Sequence, residues 1–199
     1  MLVWRLDPPA RACASGPLGG GIGVRRWVLN AQVASDFDDV DVGAHLRRCA
    51  TAAGCDGPGV GLLTAAPVTE RTVGVDDAAV AYATVGLRRP TWASAPGAAD
   101  ASRPLLAGTI NVVAFLPAPL VDAALVNAVM TATEAKTQAL VEAGVPGTGT
   151  ASDALCVLTP RDGPAQAFGG PRSALGAPLA RAVHAAVRDG VHRAARRAP

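Results

Sequence analysis

Hydrophobic and polar positions change period several times along the chain, and the changes mark its elements. Short runs rich in Val, Leu and Ile, alternating or continuous, predict strands at 2–6, 26–34, 59–66, 78–87, 109–116 and 153–159. Apolar positions recurring every three or four residues predict helices at 42–53, 121–143 and 173–197. Strands crowd before the long helices and do not alternate with them. That order favours an α+β fold, a mixed and largely antiparallel sheet packed with two long helices and one shorter helix. Gly144 and Pro146 end the middle helix as a left-handed cap followed by a residue that cannot continue it. From 89 to 104, Pro, Ala, Ser and Gly gather around Trp92, the composition of a long loop of the kind that often serves as a lid or binding segment. Covering an edge of the core is the other use for that tryptophan.

The middle helix carries the most information. Turning about 100° per residue from Asp122, the polar residues Asn127, Thr131, Glu134, Gln138 and Glu142 share one stripe. Leu125, Val126, Val129, Met130 and Leu140 fall opposite, and Ala128, Ala132, Ala135 and Ala139 form a third strip that lets another backbone come close. Lys136 projects between Leu125 and Val129, flanked by Thr133 and Thr137. A charge placed there must be paired, must reach water along its stem, or must give up its proton. Glu134 points to another side of the helix, so the two need not pair. In the last helix Leu179, Val183, Val187 and Val191 form a core stripe, and Arg181, His184, Arg188 and His192 read as its solvent face.

Composition sharpens the interest in Lys136. Of eighteen basic residues, seventeen are arginine and this one is lysine. An ammonium is compact, shifts its pKa when desolvated and acts as a base or nucleophile, whereas a guanidinium stays charged. At 199 residues the chain suits a single domain, 1–199, burying about 70% of its unfolded surface. Aromatics supply only 4% of the residues, so Ala, Val and Leu must build the core. A net charge of +2 makes no case for nucleic acid. The arginines of the last helix and the cluster Asp36, Asp38, Asp39 and Asp41 read as solvated faces. The first residues lack the charged start and long apolar region of a signal peptide, and the longest apolar run, 110–121, is too short to span a bilayer. A soluble cytoplasmic protein is the expectation. Cys13, Cys49, Cys55 and Cys156 show no metal or redox spacing and read as small buried hydrophobes. No His-Glu-x-x-His and no Gly-x-Ser-x-Gly occurs, so neither a protein metal site nor the usual nucleophile elbow is expected.

Two glycine-rich segments invite a ligand. The run from Gly16 to Gly23 leads into a strand, whereas a phosphate cradle leads into a helix, so a hairpin or a close approach of backbone to a bulky ligand explains it better. Gly147-Thr148-Gly149-Thr150-Ala151-Ser152-Asp153 joins the middle helix to a strand. Amides of such a turn can form a nest for an oxyanion, its hydroxyls are possible nucleophiles, and Asp153 suits a base or the orienter of one. A plain flexible turn remains the alternative. Asn30 and Asn111 stand inside apolar strands and either satisfy a buried backbone group or face a cleft that binds an amide.

Gly108-Thr-Ile-Asn111, Ala124-Leu-Val-Asn127, Thr131-Ala-Thr-Glu-Ala-Lys136, Gly147 to Asp153 and Phe168-Gly-Gly-Pro-Arg-Ser173, in this order, resemble the adenosylcobinamide amidohydrolases, the CbiZ-type enzymes of corrinoid salvage. The likeness extends upstream through Gly19 to Gly23, Asn30, Leu62 to Ala66 and Ala83 to Gly86, nearly the whole chain. Ala107 stands where Pro is expected, and Ser152 where Thr is expected. The resemblance implies hydrolysis of the amide joining a corrin propionate to aminopropanol, releasing adenosylcobyric acid. It implies a corrinoid substrate that brings its own cobalt, no separate cofactor, and leaves homo-oligomerisation open. Residue chemistry then assigns proton handling to Lys136 and Glu134, a second carboxylate to Asp153, attack or water positioning to Thr150, and an oxyanion cradle to the loop from Thr148 to Ser152. Asn30, Asn111 and Arg172 would bind the amide-rich rim of the corrinoid, with Asn127, Thr131 and Thr148 as further binding positions. A corrinoid carrier using the same pocket without cleavage is the competing reading, and a self-processing hydrolase with an internal Thr nucleophile ranks third.

Overall fold

Alternation of side chains along the strands settles how this chain buries a core with so few aromatics. The computed structural model describes residues 1–37, 41–95 and 108–197. Asp38, Asp39, Ala107 and the part of the expected loop from 96 to 104 lie outside that description. In chain order the elements are β1 (Leu2–Ala14), β2 (Gly21–Gln32), α1 (Val42–Ala52), β3 (Gly59–Thr64), β4 (Thr72–Asp76), β5 (Ala79–Val85), β6 (Ile110–Phe115), α2 (Asp122–Glu142), β7 (Ala154–Thr159) and α3 (Gly176–Arg197). One mixed sheet has the order β3-β2-β1-β7-β6-β5-β4. Its β2–β3 and β6–β7 pairs are parallel and the other neighbours antiparallel. The α+β expectation therefore holds, with two long helices and one short one.

The sheet folds over on itself. Trp27, Leu29 and Ala31 on one face of β2 pack under Leu46 and Ala50 of α1. Their neighbour Val28, with Val60 and Leu62 of β3, faces inward onto Val113, Ala154, Cys156 and Leu158. The opposite faces of β5, β6 and β7 meet α2 and α3 through Ala83, Val112, Val157, Ala132 and Val183. Four layers result, α1, β2–β3, β5–β6–β7 and α2–α3. β1 serves both sheet layers, and its register slips between Arg5 and Ala10. Pro8 and Pro9 fall in that stretch and have no N–H to offer a partner strand. At the fold, Trp4 of β1 meets Tyr82 of β5 edge to face at 5.4 Å, and Tyr82 meets Phe115 at 6.1 Å.

Three strand expectations change. β1 runs eight residues past 6, β2 begins at Gly21 rather than 26, and β4 is an added strand. The glycine-rich run is the β1–β2 turn, pressed onto β3 so closely that a Cβ on Gly19 would lie 1.9 Å from the Gly59 carbonyl oxygen. It is thus a hairpin and a close approach of backbone to backbone. α2 also packs differently from the wheel. Its buried face is the alanine strip with Leu125, Thr131, Lys136 and Leu140, while Val126 and Met130 are exposed. A helix crowded by both α3 and the sheet is set by its smallest side chains, because these permit the nearest approach. Past Glu142, Gly144 adopts φ +71°, its N–H reaches Val141 O at 3.0 Å, and Val145 N–H reaches Leu140 O at 3.0 Å. This is the Schellman stop that Gly144 foretold.

Candidate active site

The N-terminal ends of β6 and β7 lie side by side, because these strands are parallel neighbours with Asn111 opposite Ala154. Each is preceded by polar residues, and the polar residues meet. Thr109 Oγ1 and Ser152 Oγ are 2.9 Å apart, and Ser152 Oγ donates to Gly108 O at 3.3 Å. The Asp153 carboxylate reaches back across the pair and accepts from the Ile110 amide at 2.9 Å. Above them the loop leaving α2 returns to β7, and Lys136 projects from α2 beneath it.

Asp153 is saturated with donors. Its Oδ1 takes Thr150 Oγ1 at 2.5 Å and the Ile110 amide, and its Oδ2 takes Lys136 Nζ at 2.5 Å and the Thr150 amide at 3.2 Å. Two carboxylate oxygens offer about four acceptor sites, so none is left over. Lys136 Nζ also donates to Thr148 O at 3.2 Å. Of its three ammonium hydrogens, one has no acceptor among the described residues. The lysine is 5% exposed and the Asp153 side chain 10%. A charge this deep is held only by its partner; deleting one member of such a pair costs about 3–5 kcal/mol. Of the three fates open to a charge at this position, the structure shows pairing, with Asp153 as the partner.

Glycines let the loop lie directly on the pair. A Cβ on Gly149 would sit 2.4 Å from Asp153 Oδ2 and 2.5 Å from Lys136 Nζ. The other side of the loop carries residues 91–93, from the start of the segment expected to be a lid, a binding loop or a cover for the core edge. Thr91 N–H donates to Gly149 O at 2.8 Å, Thr148 N–H donates to Thr91 O at 2.9 Å, and Ala93 N–H donates to Thr148 Oγ1 at 2.9 Å. A Cβ on Gly147 would fall 2.7 Å from the Thr91 nitrogen. Thr148 and Thr150 amides are therefore already engaged, which narrows the expected nest. Gly149 faces Thr91 in an antiparallel bridge, whereas Ala151 keeps an amide without a partner among the described residues.

Other expected site residues fall elsewhere. Glu134 is on the exposed face of α2 and makes no bond to Lys136 or Asp153, as its place on the helix wheel requires. Asn30 and Asn111 are 2% and 1% exposed and bind each other, Asn111 Nδ2 donating to Asn30 Oδ1 at 2.9 Å and to Leu63 O at 2.9 Å. Asn30 Nδ2 donates to Thr84 Oγ1 at 3.0 Å. They staple the two sheet layers, so the expectation that they bind a large ligand's rim is corrected by their burial. Thr131 Oγ1 donates to Gly169 O at 2.9 Å, and Asn127 lies beside Gly170. Ser173 Oγ donates to Gly170 O at 2.8 Å and accepts from Gly176 N–H at 3.0 Å. The Phe168 to Ser173 motif thus docks on α2 and caps α3, on the flank of α2 away from Lys136. Arg172 is exposed there. Of the candidates, Lys136, Thr148, Thr150 and Asp153 come together. Thr109, the Ile110 amide and residues 91–93 are additions; Gly108-Thr109 was signalled by its place in the Gly108 to Asn111 motif.

Cysteine offers no competing nucleophile in this core. Burial pushes the Cys156 thiol up to about 12 and raises that of Cys13, with the Asp122 charge adding to the second. Among the described residues no three His, Cys, Asp or Glu side chains gather as metal ligands, and no helix is long and apolar enough to cross a membrane.

A family model described as adenosylcobinamide amidohydrolase matches residues 1–199. An adenosylcobinamide amidohydrolase of Methanosarcina mazei is 34% identical over 140 residues, which cover 70% of this chain; the match spans 65% of that relative's length.

Proposed function

The chain belongs to the adenosylcobinamide amidohydrolase family, and from that premise we propose that it hydrolyses the amide between a corrin propionate and aminopropanol in adenosylcobinamide. Water is consumed and adenosylcobyric acid and aminopropanol are released, a step of corrinoid salvage. The observation that carries the reading is the chain Thr150–Asp153–Lys136, a hydroxyl, a carboxylate and an ammonium in contact, with the ammonium buried and the other two partly so.

Such a chain handles protons without a net change in charge. Thr150, whose hydroxyl already donates to Asp153 Oδ1, passes its proton to that carboxylate, either as it attacks the carbonyl itself or as it takes the proton of an attacking water. Lys136 gives one to the departing amine nitrogen, so C–O forms as C–N breaks. Where Thr150 itself attacks, the product is a Thr150 ester, which water then hydrolyses, the acid leaving and the water's proton returning to Thr150 Oγ1. The 2.5 Å contact then returns the proton from Asp153 to Lys136, restoring both. Oxyanion stabilisation falls to the Ala151 amide in this reading. Covalent capture at Thr150 by a substrate ester separates attack by the hydroxyl from attack by water.

Mass analysis of adenosylcobinamide after incubation with pure protein tests the function. Loss of aminopropanol with gain of water is the expected result. Recovery of the corrinoid intact, with tight binding, would make the protein a carrier.

A further inference from the structure

We propose that Trp92 is the platform on which the flat, largely apolar corrinoid macrocycle packs while its amide arm enters the Lys136–Asp153–Thr150 cluster. The inference rests on the substrate proposed above. The three tryptophans of the chain differ in what holds them. Trp27 is 5% exposed and its indole N–H donates to Gly57 O at 3.2 Å; Trp4 packs edge to face on Tyr82. Trp92 has neither kind of partner among the described residues and is 51% exposed.

Its backbone, in contrast, is fixed. Bonds from Thr91 and Ala93 on either side of it pin this strap to Thr148 and Gly149, and Ala95 N–H closes a turn onto Trp92 O at 3.1 Å. Strap, loop and ion pair are stacked with glycines at both contacts, so little separates them. A tryptophan closing the edge of the core would bury its ring. This one is carried on a hydrogen-bonded backbone and left half exposed, beside the strap's contacts with the loop over Lys136 and Asp153. An apolar ring of that kind gains most when another flat apolar surface covers it, and the macrocycle is the part of the substrate with such a face.

Steady-state hydrolysis of adenosylcobinamide and equilibrium dialysis of cobinamide with Trp92→Ala and Trp92→Phe test the platform. Trp92→Ala is expected to raise KM and the cobinamide dissociation constant about tenfold while kcat stays within about twofold, and Trp92→Phe to retain most of the binding. Unchanged KM and dissociation constant in Trp92→Ala, or a loss confined to kcat, overturns the proposal. The two readings fail separately. A wild-type protein that releases no aminopropanol yet loses cobinamide binding on Trp92→Ala keeps the platform and gives up the hydrolysis.

Discussion

A lysine at 5% exposure is stable only in company, and the company here is a single carboxylate that four donors already hold. Asp153→Asn leaves the ammonium buried with no opposite charge, and about 3–5 kcal/mol of stability is expected to go with it. Adding Lys136→Met to that variant removes the stranded charge and should recover part of the loss. Urea unfolding of the single and double variants measures both, and a single variant as stable as wild type would mean the ammonium has another way out. Lys136→Arg keeps a charge but offers a guanidinium that does not release its proton. A fall in kcat of about 10²- to 10⁴-fold in a folded protein is expected, the range that proton transfer supplies. Near-normal turnover would remove Lys136 from the proposed relay.

Elements place these residues, and two glycines one turn apart in role show how. Gly144 needs its freedom for φ +71° and has open space around it, so Gly144→Ala should cost about 1 kcal/mol and leave turnover alone. Gly149 needs the absence of a side chain. Gly149→Ala pushes a methyl into Asp153 and Lys136, and a displacement near an ångström there is expected to reduce kcat about a hundredfold. Stopped assays with melting curves for both variants check the contrast; equal effects on turnover would refute it. The same glycines mark what was legible in the sequence. Helix periods, the cap at Gly144 and the odd position of Lys136 could be read locally. β4 escaped because Thr72-Val-Gly-Val-Asp76 is short and interrupted by a glycine, and the extension of β1 because Pro8 and Pro9 argue against a strand. The partnership of Lys136 with Asp153, seventeen residues on, depends on how the loop returns, and no local pattern fixes that. Asn30 and Asn111 were visibly polar in apolar strands, but whether they satisfy buried groups or face a cleft depends on the folding-over of the sheet.

At the scale of the molecule, the folded sheet is stapled inside and tethered outside. Inside, Asn111→Leu leaves Asn30 Oδ1 and Leu63 O short of a donor, an expected cost of about 1–3 kcal/mol for each group left unpaired. Outside, α3 is tied to the β4–β5 hairpin by Arg181, whose Nε and Nη2 donate to Asp76 at 2.7 and 2.5 Å, and to α2 by His184 against Glu142 at 2.7 Å. Hydrogen bonds from Arg181 hold the Asp76 carboxyl below its ordinary 3.8, and those from Gln138 and then His184 hold Glu142 below its ordinary 4.5. A carboxyl lowered in the folded state binds fewer protons there than in the unfolded chain, so stability rises with pH across the gap. The contribution is full above the ordinary values and is lost as pH falls through the lowered ones. Both pairs are open to solvent, which keeps the effect modest and sensitive to salt. Urea midpoints measured from pH 6 down to pH 2 should therefore decline in the acid range, and Arg181→Gln should start lower at pH 6 and decline less. Identical slopes for the two proteins would mean that α3 is held to the sheet by its apolar stripe alone, with the Arg181–Asp76 contact a bystander.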